Sequence, residues 1–345
     1  MKSLKNKSFS VLILVFIFAC FTVSAQTASE DFKKKIEELK NKQREYVAQM
    51  DEANKAGDLN AYNLARQEYD KVTEEKKQVE KEYAEKGTKE AQSKAAYMDG
   101  LNFTKMGQYE NAVQSYDKAI GLNPNYAKAY NGKGLVLKKL RKYIEAKVAY
   151  QKSIEIDPTY SKAYFNLGIL FRELEEYDDA VRVFQSALEY DSTLEKAHYE
   201  VGNTYTKRKD YVNAARAFRK ATEVKPDYAK AYNALGVALS NMGQFREAVK
   251  VLQQAVAIDP KFGLAYYRLA AALNNLSRFR EALNAADLCI QFRKSFSHAH
   301  IEKGKAYEGL GDIANAIASY EEAGKDRRQA AWVKWKIDQL KKQSQ

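Results

Sequence analysis

Proline is scarce in this chain, with four in 345 residues, and cysteine and tryptophan occur twice each. Cys20 and Cys289 cannot supply the disulfide framework that staples small secreted domains. The three histidines, His198, His298 and His300, form no Cys/His cluster with metal-ligand spacing. The sixteen glycines are dispersed, so there is no glycine-rich phosphate loop. One long apolar run exists, Phe9 to Val23, too short for a comfortable membrane span. The net charge is +12, but no block of one sign dominates. That spread argues against a nucleic-acid surface. No Ser-His-Asp set can be nominated. No catalytic residues, metal or cofactor are therefore expected.

What the chain does have is a period. Gly100, Gly134, Gly168, Gly202 and Gly236 are spaced by 34 residues; Ala270 takes the next place and Gly304 resumes the series. Ala112, Ala146, Ala180, Ala214, Ala248, Ala282 and Ala316 keep the same step. So do Tyr109, Tyr143, Tyr177, Tyr211, Phe245 and Phe279, with Ile313 closing the set. Three series in one register mean stacked supersecondary units. Such arrays bind other chains far more often than they do chemistry.

One unit, residues 127–160, shows the plan. Tyr130, Gly134 and Leu137 lie on one helical stripe, and Ala146, Tyr150 and Ser153 on a second. Between them is a short polar turn, residues 139–142. Pro158 stops the second helix, because proline lacks an amide hydrogen and restricts its neighbour. All four prolines, Pro124, Pro158, Pro226 and Pro260, occupy this slot. Ser192, Lys294 and Arg328 replace proline in the third, sixth and seventh units, so those helix ends should blur. Glycine within a helix costs roughly 0.5–1 kcal/mol relative to alanine. Its recurrence implies a close approach by a neighbouring helix, with an aromatic filling the space beside it.

The pattern Tyr232, Leu235-Gly236, Leu239, Ala248, Leu252, Ala255, Pro260 resembles the tetratricopeptide repeat family. The resemblance covers seven repeats, 93–126, 127–160, 161–194, 195–228, 229–262, 263–296 and 297–330. It implies an all-α, right-handed superhelical solenoid of helix-turn-helix repeats that binds a protein or peptide in a concave groove. The groove is lined by the second, fifth, ninth and twelfth slots of each first helix. Here the second slot reads Lys94, Lys128, Lys162, Lys196 and Lys230, then Leu264 and His298. The fifth reads Tyr97, Asn131, Phe165, Tyr199, Asn233, Tyr267 and Ile301, and the twelfth adds Lys138 and Arg172. Tyr97, Tyr199 and Tyr267 have no packing role within the repeat pattern. Tyrosine offers large area and few rotors, so these three are candidate contact residues. The lysine row points to an acidic partner, or is repeat consensus forming a solvated rim. The carboxylate clamp used by some family members, Lys and Asn one turn apart, is absent. On the sixth slot, where others carry an asparagine ladder, only Asn166 matches. His198 and His300 replace a packing aromatic. Cys289 sits on a slot otherwise held by Ala or Ser, so it is expected to be buried.

The rest of the chain is of three kinds. Residues 1–25 read as a secretion signal, with Lys2, Lys5 and Lys7 leading the apolar run and Val23-Ser24-Ala25 as cleavage site. Lipidation at Cys20 is the alternative. Both readings place the mature chain in the periplasm or cell envelope of a bacterium, as an outer-membrane lipoprotein if Cys20 is lipidated, or outside the cell. Membrane association is expected only with that lipid. Residues 26–92 carry two heptad-like stripes. Phe32, Ile36, Leu39, Gln43, Tyr46 and Met50 make one; Tyr62, Ala65, Tyr69, Val72, Lys76, Val79 and Tyr83 make the other. They predict a helical hairpin, or a coiled coil that forms a homo-oligomer through residues 26–86. Gly57-Asp58 marks a helix stop and start, and Gly87 is read as the end. Residues 331–345 predict a capping helix with Trp332, Trp335, Ile337 and Leu340 as its apolar face. An enzyme accessory subunit is a further reading that no residue favours.

Overall fold

The computed structural model describes the backbone of residues 5–343 and the side chains of residues 30–342. Residues 1–25, the expected secretion signal, and Cys20 within them lie outside the residues whose side chains are described. The chain divides into two compact units, residues 1–125 and 126–345.

The first unit holds α1 (Lys5–Ala56), α2 (Leu59–Lys105) and α3 (Tyr109–Leu122). α1 and α2 pair within the chain, so the two apolar stripes satisfy each other. Leu39, Ala53, Ala65 and Val72 are buried between them. Phe32 meets Tyr83 at 5.9 Å between ring centroids. The polar breaks in the stripes also match: Gln43 Nε2 donates to Thr73 Oγ1 at 2.8 Å, and Lys76 Nζ to Gln43 Oε1 at 3.3 Å. The reversal is made by Gly57, at φ +70°. Asp58 then caps α2, accepting from the amides of Asn60 and Ala61 at 3.1 and 3.0 Å.

Gly87 does not end the hairpin. α2 runs unbroken through it, so one helix serves both as a hairpin arm and as the first helix of the first repeat. A Cβ at Gly87 would meet nothing within 4 Å. An exposed glycine merely weakens a helix by about 1 kcal/mol, which 47 residues of otherwise good helix absorb.

The second unit stacks six helix pairs: α4 (Ala127–Lys139) with α5 (Tyr143–Ile156), α6 (Ser161–Glu173) with α7 (Tyr177–Tyr190), α8 (Glu195–Lys207) with α9 (Tyr211–Val224), α10 (Ala229–Asn241) with α11 (Phe245–Ile258), α12 (Gly263–Asn275) with α13 (Phe279–Phe292), and α14 (Ser297–Gly309) with α15 (Ile313–Gly324). α16 (Arg327–Gln343) closes the stack. Among the described residues there is no strand.

The glycine slot does what the period implies. A Cβ on Gly134 would stand 2.8 Å from the Tyr150 ring, on Gly168 2.6 Å from Phe184, and on Gly236 2.5 Å from Leu252. In the sixth repeat, where alanine replaces glycine, the residue on the facing slot shrinks as well. Ala270 and Ala286 are both fully buried in one cluster. Each alanine from Ala112 to Ala316 in the second series is fully buried. Ser153 Oγ donates to the Ala127 carbonyl at 2.8 Å, pinning its helix to the one before it.

A second 34-residue glycine register emerges at the turns. Gly107, Gly243 and Gly311 have φ of +73, +73 and +77°, and Arg141, Glu175, Lys209 and Ser277 occupy the same slot at +58 to +63°. Each first helix ends in a left-handed cap. In the second repeat, Lys142 N donates to the Leu137 carbonyl at 2.9 Å and Arg141 N to Lys138 at 3.0 Å. These are the two bonds of a Schellman motif.

Proline is not what ends the second helices. α7, without it, stops at the same slot as α5, α9 and α11, and so does α13. Asp157 and Asp191 side chains accept from the amides two residues on, at 3.0 and 3.1 Å. That turn terminates the helix with or without proline. Only α15, with 12 residues, ends early.

The cap differs from expectation. Val333, Ile337 and Leu340 are its buried face. Trp332 packs edge-on against Tyr320 at 5.7 Å, but Trp335 is 56% exposed and packs no cap.

Candidate functional site

The first helices of successive repeats lie side by side: α4 beside α6, then α8, α10, α12 and α14. This arrangement brings their repeated slots onto one shared face. Lys128, Lys162, Lys196 and Lys230 are exposed there, with no ion pair among the described residues. In the first unit Lys94 is also exposed and pairs with Glu90 at 2.7 Å.

The fifth slot is more structural than its sequence suggests. Tyr97, left unassigned by the repeat pattern, packs on Tyr116 at 5.9 Å. Phe165 packs on Phe184 at 5.8 Å. Tyr199 lies between Phe218 at 5.6 Å and Tyr228 at 5.3 Å. Tyr267 meets Phe296 edge-on at 5.2 Å and His298 at 5.9 Å. All four are half-buried, so each fills the repeat while leaving part of its ring open. Ile301 is buried.

Two basic candidates are neutralised by the next repeat. Lys138 Nζ contacts Glu173 at 2.7 Å. Arg172 Nε lies 3.2 Å from Glu200 Oε2, an ion pair whose N–H is not aligned for a hydrogen bond. Asn131 is buried and accepts from Asn166 Nδ2 at 2.9 Å. Its place is in an inter-repeat ladder, not at a free contact surface.

The sixth slot carries the rest of that ladder. Glu200 also accepts from Asn203 at 3.3 Å. Glu302, nearly fully buried, pairs with Lys305 at 2.8 Å and accepts from Asn274 Nδ2 at 2.9 Å. Arg268 breaks the pattern. Burial lowers its pKa, and it makes no ion pair among the described residues. Its Nε is buried without a hydrogen-bond partner.

Around Arg268 the groove deepens into a cavity of about 340 Å³ between α8, α10 and α12. Tyr199, Asn203, Asn233, Val237 and Leu264 line it, from slots two, five and nine of three consecutive repeats, and Lys230 stands at its edge. Asn233 is 8% exposed, and its Oδ1 has no partner. Sequence reasoning chose Tyr199, Lys230 and Asn233 but missed Arg268. The available signal was an arginine on a slot where the fourth and seventh repeats place acids, Glu200 and Glu302.

The remaining titratable groups serve packing. His198 Nε2 lies 3.2 Å from the Ser192 carbonyl, and burial lowers its pKa. Cys289 is fully buried, which pushes its thiol up to about 11. Among the described residues no three His, Cys, Asp or Glu side chains converge as a metal site would require. No helix among them is long and apolar enough to cross a membrane.

A row of antiparallel helix pairs with a lined face on the first helices defines a helical-repeat solenoid. Tetratricopeptide repeat profiles match residues 127–160, 149–182, 205–273 and 297–323, and a TPR repeat profile matches 100–140. The chain belongs to the tetratricopeptide repeat family. No curated protein matches it significantly. Among solved structures it is similar to the C-terminal part of a TPR repeat-containing protein from Cytophaga hutchinsonii. That match has 16% identity and a TM-score of 0.57, covering 66% of this chain and 93% of that one. A tetratricopeptide repeat protein from Parabacteroides merdae matches at 16% identity and TM-score 0.50, over 72% of this chain and 99% of that one. A chain of the APC/C hetero-tetramer Cut9–Hcn1 matches at 16% identity and TM-score 0.51, over 70% and 48%. At such identities the likeness is one of fold. Tetratricopeptide repeats are, in general, protein-interaction scaffolds.

Proposed function

We propose that this protein is an exported, non-enzymatic scaffold of the cell envelope that captures a protein or peptide partner on the shared face of its first helices. The observation that carries this reading is the cavity between α8, α10 and α12, built from the slots that repeat along the face. Rigid stacked helices present such a surface in advance, so little ordering cost falls on the protein when it binds. The exposed lysines Lys128, Lys162, Lys196 and Lys230 give the face a positive rim that favours an acidic partner.

A photo-crosslinking side chain placed at Val237, in the cavity, and at Val212, 55% exposed on α9, tests the face. Adducts in intact cells are expected from position 237 and not from 212. The triple variant Lys128→Glu, Lys162→Glu, Lys196→Glu should weaken them. Adducts from 212 alone would move the binding surface elsewhere. Export is checked by cell fractionation with and without residues 1–25, and lipidation by Cys20→Ser.

A second reading is assembly through the hairpin. Leu59 and Leu64, 70% and 63% exposed near its tip, favour it. Sedimentation of the chain with both changed to lysine is the appropriate test. Deleting residues 26–86 would truncate α2, the same helix that opens the first repeat. A monomer in both forms rules self-assembly out.

A further inference from the structure

The cavity in the second unit holds two unmet demands of opposite kind. Arg268 makes no ion pair among the described residues, and its buried Nε donates to nothing. Asn233, more than nine-tenths buried, has an amide oxygen that accepts from nothing. Both line the same 340 Å³ space. A buried donor or acceptor left unmade carries its full desolvation penalty, and native structures rarely leave such groups unexplained. The acids on the same slot of other repeats are engaged elsewhere, Glu200 by Arg172 and Asn203, and Glu302 by Lys305 and Asn274.

The chemistry that satisfies both groups is specific. Arg268 requires an anion with planar acceptors, and carboxylate matches a guanidinium fork. Asn233 Oδ1 requires an N–H donor. A carboxylate alone cannot supply that, whereas a peptide backbone can. The walls between them, Tyr199, Phe218, Val237, Phe262 and Leu264, are apolar or aromatic. Lys230 at the edge adds positive charge.

Resting on the groove reading above, we infer that this cavity is a recognition subsite for an extended peptide segment carrying an acidic residue next to a large apolar one. The acidic side chain pairs with the Arg268 guanidinium and the apolar neighbour packs between Tyr199 and Phe262. The Asn233 amide, whose oxygen has no accessible surface in the unbound chain, turns into the cavity to accept a backbone N–H of the peptide. The ligand carboxylate is a side chain inside the peptide and not a chain terminus. The selectivity of the groove then resides in Arg268, and the lysine row contributes a sequence-tolerant field.

The test pans a random nonapeptide library, blocked at both ends, on the intact chain. Enrichment of Asp or Glu beside Phe, Leu, Ile or Met is expected. A selected peptide should bind Arg268→Gln about ten-fold or more weakly, the loss that goes with one charge-assisted hydrogen bond. Changing its acid to Asn or Gln should weaken binding to the native chain similarly and leave binding to Arg268→Gln unaltered. Arg268→Gln should melt no lower than the native chain, because the charge it removes has no partner to lose. Basic or wholly apolar selections, no selection at all, or binding only by peptides with a free carboxyl terminus would overturn the inference. Affinity unchanged in Arg268→Gln but lost in Leu264→Glu would overturn the subsite while leaving the groove reading intact. Affinity unchanged in both would sink the two together.

Discussion

A Cβ on Gly202 would stand 2.5 Å from the ring of Phe218. The fourth repeat therefore packs a fully buried aromatic directly onto helix backbone. Gly202→Ala should lower stability by about 1–3 kcal/mol through overpacking, offset by roughly 1 kcal/mol of gained helix propensity. Gly87→Ala meets open space and should gain up to about 1 kcal/mol. Urea midpoints of the two variants should move in opposite directions.

The left-handed turn slot offers a stabilising series. Arg141, Glu175, Lys209 and Ser277 adopt positive φ where three other repeats carry glycine. A side chain in that conformation costs roughly 1–2 kcal/mol, and glycine returns part of the gain as unfolded-chain entropy. Each change to glycine should raise the thermal midpoint slightly, and Gly243→Ala should lower it. A drop on Glu175→Gly would refute the turn assignment.

The hairpin depends on few buried residues. Leu39 is 1% exposed. Leu39→Ala should cost about 2–4 kcal/mol and speed amide exchange across residues 30–86, read by mass spectrometry. Exchange equal to that of the native chain would mean the α1–α2 seam is held elsewhere.

Alkaline stability follows from buried acids. Burial raises the Cys289 thiol to about 11 and, with neighbouring phenols and carboxylates, Tyr228 to about 12. Each is raised above its unfolded value, so the unfolded chain releases its proton first as pH rises. Their stabilising contribution is intact at neutral pH, falls once pH passes the unfolded thiol value of about 8.5, and is fully lost above the folded values. Urea midpoints should decline from about pH 9 upward. Iodoacetamide should label Cys289 at pH 8 only in denaturant; labelling of the native chain would contradict its burial.

At the C-terminal cap the buried face is Val333, Ile337 and Leu340. Leu340→Ala should destabilise by about 2–4 kcal/mol, whereas Trp335→Ala should stay within about 0.5 kcal/mol. Acrylamide should quench much of the tryptophan emission of the native chain. A strongly protected signal would place Trp335 in a contact.

Much of the fold was legible because repeat proteins encode it in nearest-neighbour terms. The Gly134–Tyr150 contact has a counterpart in every repeat but the sixth, so a fixed spacing reveals it. The Gly57 reversal and the meeting of the polar stripe positions Gln43 and Lys76 follow from local caps and stripe phase. Gly87 was misleading because a helix end is a cooperative property of its flanks, and the flanks of Gly87 are strongly helical. The third and sixth repeats end their second helices without proline for a similar reason: backbone and side-chain turns do the stopping. Trp335 was misjudged because bulk alone does not say which side of a short helix faces the stack.

The candidate site was legible only in outline. The repeated slots named Tyr199, Lys230 and Asn233, which line the cavity, but also Lys138, Arg172 and Asn131, which neighbouring repeats engage. By itself, the amino-acid order determined the period, the paired helices and most of the residues that fill each repeat, since all of these rest on contacts at fixed separation along the chain, while the structure decided that the two N-terminal stripes pair with each other. Only the tertiary structure decided which charges cancel and that Arg268 is left over. Charge pairing crosses from one repeat to the next, and its outcome depends on how side chains of unequal length meet across the stack.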